Sequence, residues 1–498
     1  MAIPLGTTSR NIRTLGALLL AGLAVSLAGL FWQPSFHGWG LLIGGLLLAW
    51  ILWMLSQVAA GDRTVAGHPL QWVLLALAAA MVLPLGLSRW SFSTDALDGS
   101  MNISLVLQVM LLSLGVMVVQ EFWGGRGVGL AMAAVAAAGV IVSSVVAAFA
   151  GGANVLDTVP LTGLAACAGL LACGCKLAAG ARSAAAKATV IMVVGAPSVA
   201  GAVLLCWQGP QIILLAAAVV LAAGLIFLVF RGSLLVRIFA IAGLAAMGLA
   251  TLVYCGLRAP AWLSAYGLWG GQGGGWQFIP AQTRGAAVIR QLGGYPAVII
   301  AILGPAACLA WLAIRSRGER AGALLWSMAC GLSLAALLES GGLFVPSTLM
   351  VAALTWGMLP AMAGVVSGRG SGLLVLLVFW AALMLVGLGS GHNVVVWGAA
   401  AFRNDDGFLH FVAGLLMAMS LAWFAGARWI VLGLLAAGVS VLLGAIGELG
   451  QLVLSNRNAQ WNDFLTHAMG SVIGGAAYLL AGLSKWAESR DARAMPKL

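Results

Sequence analysis

The chain has 498 residues, of which 62% are hydrophobic and only 7% charged, with a mean hydropathy of +1.07; soluble proteins are about a quarter charged. That balance excludes a soluble globular protein and points to an all-α polytopic membrane protein, because the apolar runs lack the apolar/polar alternation of a membrane barrel. The formal charge of +11 does not mark a nucleic-acid binder, since its placement along the chain follows the apolar runs.

Arg10 and Arg13 precede the first run, 15–32, which resembles a signal sequence without a small-residue cleavage site and is read as an uncleaved first span. Further runs follow at 41–58, 69–88, 103–120, 128–149, 160–178, 188–206, 211–230, 236–256, 296–314, 321–338, 347–366, 371–389, 407–425, 429–447 and 463–483. Each is long enough for the ~30 Å hydrocarbon layer, so about sixteen transmembrane helices are expected. With both termini on the cytoplasmic side, 18 of the 24 Lys and Arg fall on the inner face and most acids on the outer one, the asymmetry the positive-inside rule requires. The expected location is therefore the bacterial inner membrane, multi-pass, with the basic excess touching anionic lipid and no nucleic-acid partner.

The runs divide into an eight-span bundle (1–232), a four-span unit (233–370), a second four-span unit (371–484) and a basic cytoplasmic tail (485–498). A long outer loop, 258–294, is rich in Gly and carries three Trp. It is expected either to lie on the membrane surface or outer mouth, or to be a linker held by interfacial Trp. The seven cysteines fall in or at the ends of apolar runs without zinc or dithiol spacing. They read as packing residues, and neither a metal nor a cofactor is expected.

Polar residues concentrate near the C-terminus. Asp406 and His410 head the run 407–425, Glu448 and Gln451 close 429–447, Arg457 lies in the following turn, and Asp463 and His467 head 463–483. Within each pair the spacing of three or four puts both side chains on one helix face, and the topology puts all seven at the outer face. Ionisable groups in a span are costly, so a shared pocket is expected. His410, Glu448, Asp463 and His467 are the candidate catalytic groups, and Asp406, Gln451 and Arg457 the candidate binding groups. Carboxylates, imidazoles and one guanidinium suit a phosphate or sugar head group, a proton relay or acid/base chemistry. The structural alternative is that Asp406 and Asp463 offset helix dipoles while Glu448 pairs with Arg457 to fasten two helices.

The pattern D406-GFL-H410-F411, E448-LG-Q451, R457-NAQWN-D463 and G470-SVI-G474 resembles the VanZ-like membrane family over about 371–484. Two positions depart from it: Gly407 stands where members often carry Lys, and His467 where they often carry Asn. The resemblance implies a cell-envelope role, the namesake being an accessory glycopeptide-resistance protein. A fainter echo, E339-SGG-L343 with WQFIPA at 276–281, suggests that 233–370 is a degenerate copy, giving a parallel repeat of two four-helix units. The expected function is engagement of a lipid-linked or phosphorylated glycan at the outer face, with catalysis left open. Membrane lipids and other envelope-synthesis proteins are the expected partners. The alternatives are a proton-coupled transporter and a non-catalytic scaffold of an envelope-synthesis complex.

Overall fold

The computed structural model describes residues 7–29, 36–60, 68–90, 99–124, 128–150, 158–207, 216, 220, 222–226, 228–230, 233–246, 295–316, 320–338, 345–365, 406–425, 430–454 and 460–494. In chain order the main helices are α1 (Thr7–Gly29), α2 (Phe36–Ala60), α3 (Pro69–Trp90), α4 (Gly99–Trp123), α5 (Val128–Ala150), α6 (Thr158–Gly180) and α7 (Ala184–Cys206). They continue with α8 (Leu234–Ala246), α9 (Tyr295–Arg315), α10 (Arg320–Leu338), α11 (Pro346–Met362), α12 (Asp406–Ala425), α13 (Ile430–Leu454) and α14 (Trp461–Ala494). No strand occurs among the described residues.

Six helices are long and apolar enough to cross a membrane, those at Thr8–Leu27, Gly38–Ala60, Gly129–Ala150, Thr158–Gly180, Ala184–Cys206 and Trp461–Leu483. The chain is thus an all-α membrane protein. The run 371–389, the loop 258–294 and the echo residues 276–281 and Glu339 lie outside the described residues, and 211–230 and 236–256 are described only in part.

The helices outrun the apolar stretches that announce them. α1 begins at Thr7, ahead of Arg10 and Arg13, and α14 continues to Ala494 through most of the segment expected as a basic tail. Hydropathy marks the part of a helix that meets hydrocarbon, whereas backbone hydrogen bonding carries the helix on into the polar interface. Inside α7 a π turn over Ile191–Gly195 stands just before Pro197, a residue that cannot donate to the carbonyl four positions back.

One apolar core runs from α1 to α14, from Leu20 through Trp50, Trp53, Trp123 and Trp356 to Trp423 and Tyr478. α2 is the platform for the C-terminal helices: it packs on both α12 and α14. Trp53 meets Trp423 of α12 edge-on, with ring centroids 5.5 Å apart and planes at 61°, the arrangement favoured by the ring quadrupoles.

In a layer without water each buried carbonyl needs a donor from the protein, and the neighbourhood of α11 shows how these are found. Pro360 sits within α11 and brings no N–H to the carbonyl of Trp356. His68 supplies the donor instead: its Nε2 lies 2.7 Å from Trp356 O, while its Nδ1 accepts the Leu70 N–H at 3.0 Å. That pairing makes the ring the neutral Nε2–H tautomer. The His68 N–H in turn donates to Gln71 Oε1 at 3.2 Å, so His-Pro-Leu-Gln opens α3 as a capping box with an imidazole in the role of the hydroxyl. At the far end α11 closes with Gly364 at φ 66°, and Lys176 of α6 donates to the Ala361 and Met362 carbonyls at 2.8 and 3.0 Å.

His68→Ala therefore leaves the Trp356 carbonyl without its donor and is expected to destabilise by about 1–3 kcal/mol. The same change in a Pro360→Ala background, where position 360 regains an N–H, should cost less. Thermal melts of the four proteins in mild detergent, compared as a double-mutant cycle, measure the difference.

Candidate functional site

α12, α13 and α14 pack mutually and alternate in direction, so the start of α12, the end of α13 and the start of α14 lie together. The contact between α12 and α14 is a backbone contact. A Cβ added at Gly470 or Gly474 would run into the carbonyl oxygens of Phe411 and Leu415, and one added at Gly414 into that of His467. Glycine at these positions removes the side chain that would otherwise hold the two helices apart, the device that serves close helix pairs in membranes.

That approach brings three ionisable side chains from three helices to one point. His410 of α12 has Nδ1 3.8 Å from Glu448 Oε1 of α13 and Nε2 3.5 Å from Asp463 Oδ2 of α14. The carboxylates are mostly enclosed, Asp463 at 4% and Glu448 at 11% side-chain exposure, while His410 at 23% forms the open side. Glu448 is oriented from behind: its Oε2 accepts the Gln460 N–H at 3.2 Å. Gln460 O in turn accepts the N–H groups of Asp463 and Phe464 at 3.1 and 3.3 Å, opening α14. One carboxylate thus ties the end of α13 to the first turn of α14 and holds its other oxygen toward the imidazole.

His467 has a different partner. One turn along α14 from Asp463, its Nε2 lies 3.1 Å from the Ser440 carbonyl of α13, with the ring fitted against Gly444. Beside it Ser440 Oγ and Ser471 Oγ are 2.8 Å apart, and they reach the Gly414 and His467 carbonyls at 3.2 and 2.9 Å. This is interhelical polar glue in the interior. Of the seven residues singled out in the sequence, the structure joins His410, Glu448 and Asp463, and sets His467 in the layer below. Asp406 is the first residue of α12 and Gln451 lies in the last turn of α13, the side chains of both being outside the described set. Arg457 lies outside the described residues altogether. Ser440, Ser471, Gln460 and Gly414 were not singled out; small or polar residues inside apolar runs are the signal that points to the two serines and the glycine.

An imidazole flanked by two carboxylates can accept or release a proton, hold a cation, or orient a hydroxyl group for attack. The surroundings set the level at which it does so. Leu449, Trp461 and Leu465, on the same helix ends, are exposed, so the polar site opens beside a lipid-facing surface. Along α14 the exposed Trp461 and Trp486 stand about 37 Å apart at 1.5 Å per residue, flanking the exposed stripe Leu465, Met469, Val472 and Leu480. That span covers the hydrocarbon layer and reaches the interfaces where Trp settles.

Gly470→Ala drives a methyl group into the Phe411 carbonyl and is expected to destabilise by about 1–3 kcal/mol, as overpacking does. Gly482→Ala in the same helix, where nothing lies within 4 Å of the added Cβ, should be neutral or stabilise by up to about 1 kcal/mol through helix propensity; melting temperatures in detergent report both. Compared with family models, with curated proteins and with solved structures, the chain finds no match.

Proposed function

We propose that the chain is a multi-pass protein of the bacterial inner membrane, with about sixteen spans and both termini inside, whose C-terminal helices engage the head group of a lipid-linked or phosphorylated glycan at the outer face. The observation that carries this reading is the convergence of His410, Glu448 and Asp463 from three helix ends beside an exposed apolar surface. A head group on a lipid anchor has the matching shape, polar at the helix ends and apolar along the exposed stripe.

In this reading Arg457 holds the anionic group, Glu448 and Asp463 position the substrate or exchange protons with it, and His410 is the acid/base group at the open side. His467 keeps α13 and α14 in register beneath it. The resemblance of 371–484 to VanZ-like proteins supports an envelope role, in exopolysaccharide biogenesis or in response to glycopeptides. Proton-coupled transport is the second reading, favoured by the placing of one titratable ring between two carboxylates.

Native mass spectrometry of the protein in mild detergent tests the first reading through co-purifying lipid. Wild type is expected to retain a specific phosphorylated or glycosylated lipid that Arg457→Ala and Asp463→Asn lose while remaining folded. Bulk phospholipid alone, equal in all three proteins, rejects the head-group site. Proton-gradient-dependent uptake of a solute into proteoliposomes would then favour transport.

A further inference from the structure

We propose that His410, Glu448 and Asp463 form a binding site for one divalent transition-metal cation, Zn²⁺ or Mn²⁺ in class, with open coordination positions facing the exposed side of His410. The three residues offer one ligand atom each, and these atoms lie within 4.8 Å of one another. Donors bound to a common ion at about 2.0–2.2 Å stand roughly 3–3.5 Å apart, so small side-chain adjustments close the site. The present ring-to-carboxylate separations of 3.5 and 3.8 Å exceed the ~2.7–2.9 Å of a charge-assisted hydrogen bond. The ring offers Nδ1 to Glu448 and Nε2 to Asp463, so a single ion would take one of the two nitrogens and draw both carboxylates toward it.

Chemistry narrows the cation. One imidazole nitrogen with two carboxylate oxygens suits Zn²⁺ and Mn²⁺ better than Mg²⁺ or Ca²⁺, which favour oxygen alone. A divalent ion beside two enclosed carboxylates would offset the cost of burying their charge. The Gln460 N–H on Glu448 Oε2 is the kind of outer contact that aims a ligating carboxylate. Three protein ligands leave at least one position for an exogenous group, as in sites that act on a substrate rather than merely brace a fold.

A phosphate oxygen of the head group is the ligand we assign to that position. This assignment rests on the head-group reading above; the cation site itself does not. A bound cation would polarise the phosphate there, with His410 then serving as a ligand in place of the acid/base group.

The test uses the full chain in mild detergent, stripped with a chelator and titrated with Mn²⁺ by electron paramagnetic resonance. One Mn²⁺ per chain is expected, displaced by Zn²⁺, with pulsed spectra showing nitrogen coupling from a single imidazole. His410→Gln should abolish that coupling, and Asp463→Asn and Glu448→Gln should each weaken binding at least about tenfold, while Ser440→Ala leaves the coupling in place. Wild-type protein that binds neither ion, or binding that all three site variants share, overturns the proposal and leaves His410 as a contact between the two carboxylates. The wild-type result stands even if a variant fails to fold. Retention of a specific lipid without metal binding would sink the cation site and spare the head-group reading, whereas metal binding without a specific lipid would do the reverse.

Discussion

Hydrocarbon offers no hydrogen bonds, and the architecture follows from that constraint. Every backbone group in the layer must be satisfied from within the chain, which makes the described residues helical and makes each interruption of a helix a local problem with a local answer. Pro360 removes one donor from α11, and the imidazole of His68 replaces it from the head of α3. Trp326 Nε1 takes the Thr355 carbonyl at 2.6 Å, Trp123 Nε1 takes that of Ala17 at 3.2 Å, and Lys176 covers the last carbonyls of α11. Such contacts join helices because the donor that satisfies one segment usually belongs to another.

The same constraint sorts the polar residues of the C-terminal helices into two layers. Ser440, Ser471 and His467 satisfy one another and the backbone in the interior, where an unmatched group would be costly. His410, Glu448 and Asp463 sit at the helix ends, where part of their charge reaches a polar boundary. The glycine contact between α12 and α14 serves both layers. By letting the two backbones approach, it admits Ser471 Oγ beside Gly414 and sets His410 opposite Asp463.

Legibility varied with how local the governing physics is. The spacing Asp463/His467 correctly placed both on one face of α14, yet the two side chains have different partners, because an α-helical face is shared by neighbours at several depths. Gly470 and Gly474 stand four residues apart in one apolar run, the spacing of a close helix approach, but the opposing surface, the carbonyls of Phe411 and Leu415, belongs to a different run. His68 gave no sign of its role: a lone imidazole before a proline becomes meaningful only against the orphaned carbonyl of Trp356. Helix ends were underestimated at Thr7 and Ala494, since polar turns stay hydrogen-bonded after leaving hydrocarbon.

Composition and the length of the apolar runs by themselves determined the class of this protein and its residence in a membrane, because transfer of apolar side chains from water is a property summed along the chain. They also marked the short windows in which charge is tolerated. Which of those charges meet was decided by tertiary structure alone. His410, Glu448 and Asp463 belong to three separate helices and become neighbours only when those helices pack at one end, with glycines setting the distance between two of them. Side-chain geometry at a site depends on that separation to within an ångström, and one-dimensional patterns carry no information about it.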